Sequence, residues 1–270
     1  MSDMPLKLAS FILKNAARAG IPRVIMFGGE PVMYKNLEKV INEASTLGLF
    51  VEMDTNGLKL NEKKLLTLST AGLSALRISL HSASAPEHNR LQNSESFTLV
   101  KDTVKRAIKS GFLVYLSSCL SEADSDAENI VKLSSLGKGW GAHGIRFLAH
   151  VSDEKSSGNA SSEIASYIRE KGFGNYARTC FETSWAKKCA AQEGKTLFVG
   201  PDGVVRACPY AVNVLGRVGN NSPSLAALLA GGSDKIQDSV RSKPLMVHST
   251  CIASRRASTR SNKTLPCSRK

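Results

Sequence analysis

An α/β chain built on parallel strands is what this sequence predicts, and three observations predict it. Apolar, β-rich runs recur at similar intervals, segments of helical period fill the gaps between them, and glycines punctuate the ends of those helical segments. Strand–helix alternation of this kind implies right-handed βαβ units, and hence a parallel sheet or barrel.

The first helical segment, Lys7–Arg18, leads into the apolar run Val24–Phe27. Asn36–Leu47 carries Leu37, Val40, Ile41, Ala44 and Leu47 at helical spacing and precedes the run Leu49–Met53. Glu62–Ser69, Phe97–Lys109 and Ala127–Leu136 are the next helical segments, interleaved with the runs Ala75–Leu80, Leu113–Ser118 and Gly144–Leu148. Gly20, Gly48, Gly72, Gly111 and Gly137 read as helix stops, since a helix end favours a left-handed residue. Ser152–Ser162, rich in Ser, Asp, Glu, Gly and Asn, reads as a linker. Beyond it the pattern changes. Thr196–Val199 and Val204–Ala207 flank Gly200-Pro201-Asp202-Gly203, a strong hairpin signal, and a short helix is expected over Ser224–Leu229. From Ile252 onward almost nothing apolar remains, so that basic segment is expected to be disordered.

With 270 residues, the chain can bury roughly three quarters of its unfolded surface. No apolar run approaches the ~20 residues of a membrane span, and Met1-Ser2-Asp3-Met4-Pro5 has none of the features of a secretory signal. The protein is therefore expected to be cytoplasmic, with no membrane partner. Net charge is +13, of which +7 falls in the last 37 residues, where nine Lys/Arg meet two Asp. Without interleaved aromatics this basic stretch offers no stacking platform, so a solvated tail is expected rather than a nucleic-acid site.

Three strand ends carry ligand-type residues. Gly28-Gly29-Glu30-Pro31 follows Val24–Phe27: the glycines bare the backbone, and Pro31 pushes Glu30 toward an extended conformation. A carboxylate beside free backbone carbonyls suits an ammonium group, although this tetrapeptide alone fits an ordinary strand-to-helix turn equally well. Thr55-Asn56-Gly57 follows the second run, and Asn-Gly favours a tight turn with positive φ. Ser79-Leu80-His81-Ser82 closes the third run, with Pro86-Glu87-His88-Asn89-Arg90 just beyond. Three such ends in register suggest a polar ligand across the mouth of a barrel.

With FGGEP at 27–31, TNG at 55–57 and ISLHSASAPEHNR at 78–90, the chain resembles the radical S-adenosylmethionine (SAM) superfamily over roughly residues 5–150. The resemblance implies an incomplete parallel (β/α)6 barrel over residues 1–150, a linker and helix over 151–179, a small hairpin-containing cysteine domain over 180–251, and the tail 252–270. It implies that Gly28, Gly29 and Glu30 hold the amino end of SAM. Ser79 would face the ribose or carboxylate, and Thr55, Asn56 and Arg90 would complete the polar wall. Taken singly, Ser79 also fits a strand-end hydroxyl bonded to backbone, and Arg90 a solvated helix cap.

The departure from the family pattern matters as much. Radical SAM enzymes carry a CxxxCxxC loop whose thiolates bind a 4Fe-4S cluster. This chain begins inside the helix expected after that loop and has no cysteine before Cys119. As written it is expected to lack the first barrel strand and to be inactive, from a misplaced start and a shifted frame or from a decaying gene. Cys119 itself reads as a buried small hydrophobe, and neither Trp140 nor Trp185 belongs to an aromatic pattern.

Six cysteines stand at 119, 180, 189, 208, 251 and 267. In a reducing compartment such clustering points to metal or catalysis before disulfides. The spacing C-x13-G-x4-C from Cys189 through Gly203 to Cys208 resembles a SPASM or twitch auxiliary iron–sulfur domain. The resemblance implies that Cys189, Cys208, Cys251 and Cys180 hold an auxiliary 4Fe-4S cluster, intact or partly lost. Cys251 lacks its C-x2-C partner, Ser254 standing in that place, and Cys267 is a further candidate.

The reading is therefore a radical SAM-type enzyme, modifying a peptide or protein or maturing a cofactor by 5′-deoxyadenosyl radical chemistry. SAM would be the cofactor and a flavodoxin or ferredoxin the electron donor. No residue is assigned a catalytic role. A second reading is a non-catalytic, peptide-binding scaffold, and a third is a zinc-stabilised α/β protein. A barrel without its first strand would expose the edge of the Val24–Phe27 strand, and poor expression is expected.

Overall fold

Alternation along the strands sets the layers of this protein. The computed structural model describes residues 3–120, 127–149, 167, 169–179, 196–207, 209, 214–219, 225 and 227–228. Two compact units emerge, one formed by Gly20–Phe147 with Glu163–Thr179 and the other by the remaining residues.

The larger unit is a six-stranded sheet in the order β1-β2-β3-β4-β5-β6. Its strands are β1 (Arg23–Met26), β2 (Phe50–Thr55), β3 (Ala75–Ser79), β4 (Leu113–Leu120), β5 (Gly144–Ala149) and β6 (Ala177–Thr179). The pairs β1–β2, β2–β3, β3–β4 and β5–β6 are parallel, as the strand–helix alternation predicts. Strand β6 is a sixth strand that the apolar runs do not announce.

On one face of this sheet Val51, Met53, Leu76, Ile78, Val114, Leu116 and Phe147 are fully buried. Helix α2 (Leu37–Thr46) packs against β2, and α5 (Phe97–Lys109) packs against β3 and β4. Leu37, Val40, Ile41 and Ala44 are the buried stripe of α2, at the predicted spacing. Asn61 caps α3 (Glu62–Thr70) by accepting from the Lys64 amide at 2.8 Å, and α6 (Ala127–Gly139) follows β4.

Two details depart from the sequence reading. Residues 85–92 form a helix, α4 (Ala85–Gln92), with Pro86 in its first turn, where a missing amide costs nothing. Gly20, Gly48, Gly72 and Gly111 take positive φ as helix stops, but Gly137 lies inside α6. It is a packing glycine: a Cβ there would come within 2.6 Å of Leu116 Cδ1 and 2.8 Å of the Tyr176 hydroxyl.

In the other unit, α1 (Leu6–Arg18) buries Ala9, Leu13 and Ala16. The predicted hairpin is present as antiparallel β7 (Phe198–Val199) and β8 (Val204–Arg206), extended by β9 (Gly216–Arg217). Gly203 turns it with φ 81°, donating to the Gly200 carbonyl at 2.9 Å, while Asp202 Oδ1 accepts from the Val204 amide at 3.1 Å. Leu225, Ala227 and Leu228 are helical, within the predicted short helix. No helix among the described residues is long and apolar enough to cross a membrane.

Candidate functional site

The chain leaves β1 through Phe27 and two glycines, and reaches Glu30 in an extended conformation (φ −133°, ψ 106°), as the following proline requires. A single 3-10 turn, Pro31–Met33, carries it on toward α2. Glu30 lies at the carboxyl edge of the sheet, where parallel α/β folds take their ligands. Its carboxylate is fixed there by the second motif. The Thr55 hydroxyl donates to Glu30 Oε1 at 2.6 Å, and the Asn56 amide donates to Oε2 at 2.9 Å.

The turn that presents these donors is itself held. Thr55, 3% exposed, accepts from the Gly57 amide at 3.0 Å, and Asn56 Oδ1 accepts from the Leu58 amide at 2.9 Å. The Thr103 hydroxyl of α5 donates to the Gly57 carbonyl at 3.1 Å. Gly57 has φ 76°, and a Cβ there would meet Ile78 Cγ2 at 3.0 Å, so only glycine fits. At Gly28 (φ 146°) and Gly29, by contrast, a Cβ would meet nothing within 4 Å. The two glycines therefore border open space beside an oriented carboxylate. That arrangement fits the ammonium end of an amino acid: bare backbone on one side, a negative charge on the other.

Ser79 ends β3 in register with Ser117 of β4. Arg90 lies on α4, its guanidinium paired with Glu87 of the same helix. Thr55 and Asn56 are thus joined to Glu30 by hydrogen bonds, whereas Arg90 is tied within α4. Cys180, Cys189, Cys208 and Cys251 lie outside the described residues. Cys119 is described, and burial pushes its thiol up to about 12, the protonated form that does not ligate metal. Among the described residues no group of three or more His, Cys, Asp or Glu could hold a metal ion. The described residues thus fit the polar end of SAM and supply no thiolate set for a cluster.

Two features escaped the sequence reading. His88 is fully buried, and its Nδ1 accepts from the His81 amide at 3.2 Å. His81 Nδ1 in turn accepts from the Cys119 amide at 3.1 Å, linking the end of β3 to β4. Burial pulls His88 down to about 4, so it is neutral. Its ring meets Phe97 edge-on at 5.7 Å, and Phe97 meets Trp140 at 5.4 Å, so Trp140 does belong to an aromatic cluster.

The second feature is a row of charges on the sheet face opposite the helices. Arg77 bridges Glu52 and Asp54, approaching Asp54 Oδ1 to 3.0 Å. Arg23 reaches Glu52 Oε1 at 3.2 Å, and Arg146 of β5 lies 3.7 Å from Asp54 Oδ2. Burial raises the Asp54 carboxyl against the opposing pull of Arg77 and Arg146. The available signal was Glu52 and Asp54 alternating with Val51 and Met53, since a parallel strand covered on both faces is apolar throughout.

The sequence profile of the Radical SAM superfamily matches residues 4–133. A GTP 3',8-cyclase from Aquifex aeolicus (strain VF5) is 31% identical over 142 residues, 52% of this chain and 43% of that protein. A PqqA peptide cyclase from Methylocella silvestris is 24% identical over 224 residues, 76% of this chain and 59% of that protein. The chain thus spans about half the length of these curated relatives. Streptococcus suis SuiB bound to S-adenosylmethionine superposes with a TM-score of 0.68 at 14% identity, over 86% of this chain and 61% of SuiB. SuiB bound to the precursor peptide SuiA gives 0.66 over the same shares, and the likeness is one of fold. The three motifs, the parallel sheet and the profile agree in their likeness: residues 4–133 of this chain match the model of the Radical SAM superfamily.

Proposed function

We propose that this protein binds SAM at the β1–β2 edge and acts on a peptide substrate. The observation that carries the proposal is the Glu30 carboxylate, oriented by the Thr55 hydroxyl and the Asn56 amide beside Gly28 and Gly29, where a Cβ would meet nothing within 4 Å. Gly28, Gly29 and Glu30 would hold the amino end of SAM, with Thr55 and Asn56 fixing Glu30 and Ser79 on the neighbouring wall. SAM bound to a reduced 4Fe-4S cluster supplies one-electron, hydrogen-abstracting chemistry. The chain's own part is to hold and orient the cofactor and to line the sheet face on which the substrate reacts.

A peptide substrate is supported by two of the similar proteins, one named as a PqqA peptide cyclase and the other solved with a precursor peptide. The auxiliary cluster on Cys189, Cys208, Cys251 and Cys180 belongs to the same proposal, supported by the β7–β8 hairpin within the Cys189-to-Cys208 spacing. A small flavodoxin- or ferredoxin-type donor would deliver the electron.

Calorimetric titration of the full chain with SAM tests the first step. We expect saturable binding, weakened at least about tenfold in E30Q, the loss of one charge-assisted contact. Unchanged binding in E30Q would remove Glu30 from the site. Anaerobic reconstitution with iron and sulfide, followed by assay for 5′-deoxyadenosine, tests the chemistry. SAM binding without that product favours the scaffold reading.

A further inference from the structure

A run of hydrogen bonds leads from helix α5 to the ligand edge, and its outer end, Arg106, has no part in the site described above. Arg106 Nη2 donates to the Thr103 hydroxyl oxygen at 3.0 Å, and that hydroxyl donates to the Gly57 carbonyl at 3.1 Å. The Gly57 amide in turn donates to Thr55 Oγ1 at 3.0 Å, and the Thr55 hydroxyl donates to Glu30 Oε1 at 2.6 Å. Chemistry fixes the direction of each bond. A guanidinium can only donate, so Thr103 accepts from it and directs its single O–H at Gly57. The Gly57 amide likewise leaves Thr55 with its own O–H aimed at Glu30. The peptide group between Gly57 and Leu58 is held at both ends, its carbonyl by Thr103 and its amide by Asn56 Oδ1 at 2.9 Å.

Both α5 residues sit where a polar group costs free energy. Thr103 is fully buried, on a face of α5 otherwise made of Val100, Val104 and Ala107. A helical threonine commonly bonds back to the carbonyl four residues earlier, whereas this one reaches across to Gly57. Arg106 is half-buried, forms no ion pair among the described residues, and has its Nε buried without a hydrogen-bond partner. We propose that Thr103 and Arg106 are positioning residues for the SAM site. They hold the Thr55–Gly57 turn in the one shape that aims the Thr55 hydroxyl and the Asn56 amide at Glu30. The inference rests on the SAM reading above and extends the support of that site to a helix.

The experiment is a double-mutant cycle on the full chain, read as SAM affinity by calorimetric titration. T103V keeps the shape and removes the hydroxyl, and should weaken SAM about tenfold, while T103S should bind as the native chain does. R106M should weaken it about threefold, and R106K, which keeps a donor, should recover part of that loss. A merely structural role would multiply with the loss in E30Q. A positioning role acts through Glu30, so T103V/E30Q should bind within about twofold of E30Q alone. Arg106 borders a surface depression with Asn61, Glu62 and Lys63, so its replacement disturbs no core. R106M and R106M/E30Q therefore carry the same cycle if T103V does not fold. Native affinity in both T103V and R106M, or losses that multiply with E30Q, overturns this inference alone. No SAM binding by the native chain overturns it together with the SAM reading.

Discussion

The Thr55 hydroxyl donates to Glu30 Oε1 at 2.6 Å, joining two residues 25 apart in sequence across the β1–β2 edge. That hydroxyl also accepts from the Gly57 amide, so one oxygen shapes the turn and aims the carboxylate. T55V removes both roles and leaves a buried amide unpaired. It should cost about 1–3 kcal/mol in urea unfolding. SAM affinity should fall along with it, whereas T55S should retain most of both. Equal SAM affinity in T55V and the native chain would sever Thr55 from the site.

The glycines divide into structural and ligand-facing positions. G57A meets both a positive φ and Ile78 Cγ2 at 3.0 Å, and should destabilise the fold by about 1–3 kcal/mol. G29A adds a methyl to open space, so thermal unfolding should be unchanged while SAM binding weakens. If G29A binds SAM normally, the backbone there is not a ligand surface.

Arg77 holds two carboxylates, Glu52 and Asp54, on a largely buried face. R77M leaves both without their shared partner and should cost about 3–5 kcal/mol, the usual penalty for breaking a buried pair. The double variant R77M/E52Q should recover part of it. An R77M loss below about 1 kcal/mol in denaturant titration would mean that water already screens the row.

His88 supplies a pH dependence. Burial lowers it from 6.5 to about 4 in the fold, so the unfolded chain binds its proton first. Its contribution is complete above pH 6.5 and is lost as pH falls through 6.5 toward 4, up to on the order of 3 kcal/mol. Asp54, raised in the fold, works in the opposite sense: it favours folding at low pH and loses that effect as pH rises through its folded value. The slope assigned to His88 should therefore flatten in H88N, which keeps an acceptor for the His81 amide. Unfolding free energies measured from pH 7 to pH 4 in the two proteins decide it.

The sequence made the sheet legible wherever apolar runs were long and closed by glycine, as at Val24–Phe27 with Gly28, or Leu49–Met53 after Gly48. It made the Glu30 and Thr55–Gly57 turns legible because their residue types suit few other conformations. Helix α4 was hidden by Pro86, which reads as a loop residue until its place in the first turn is known. Strand β6 spans three residues, too few to show a period. Gly137 carries the residue type of a stop, yet its missing side chain is what Leu116 and Tyr176 require. The Glu52–Arg77–Asp54 row escaped because pairing across strands is a tertiary fact that no single segment encodes.

The two faces of β2 also bear on how the sheet assembles. Glu52 and Asp54 look one way, and Val51, Met53 and Thr55 look the other, toward the helices. Slipping this strand by one position against β1 or β3 would drive two carboxylates beneath α2 and swing Thr55 away from Glu30. The misaligned product would lose core packing and the ligand edge together. Strand β2 is thus a phase key for the sheet, and an error in alignment removes the means of its own persistence.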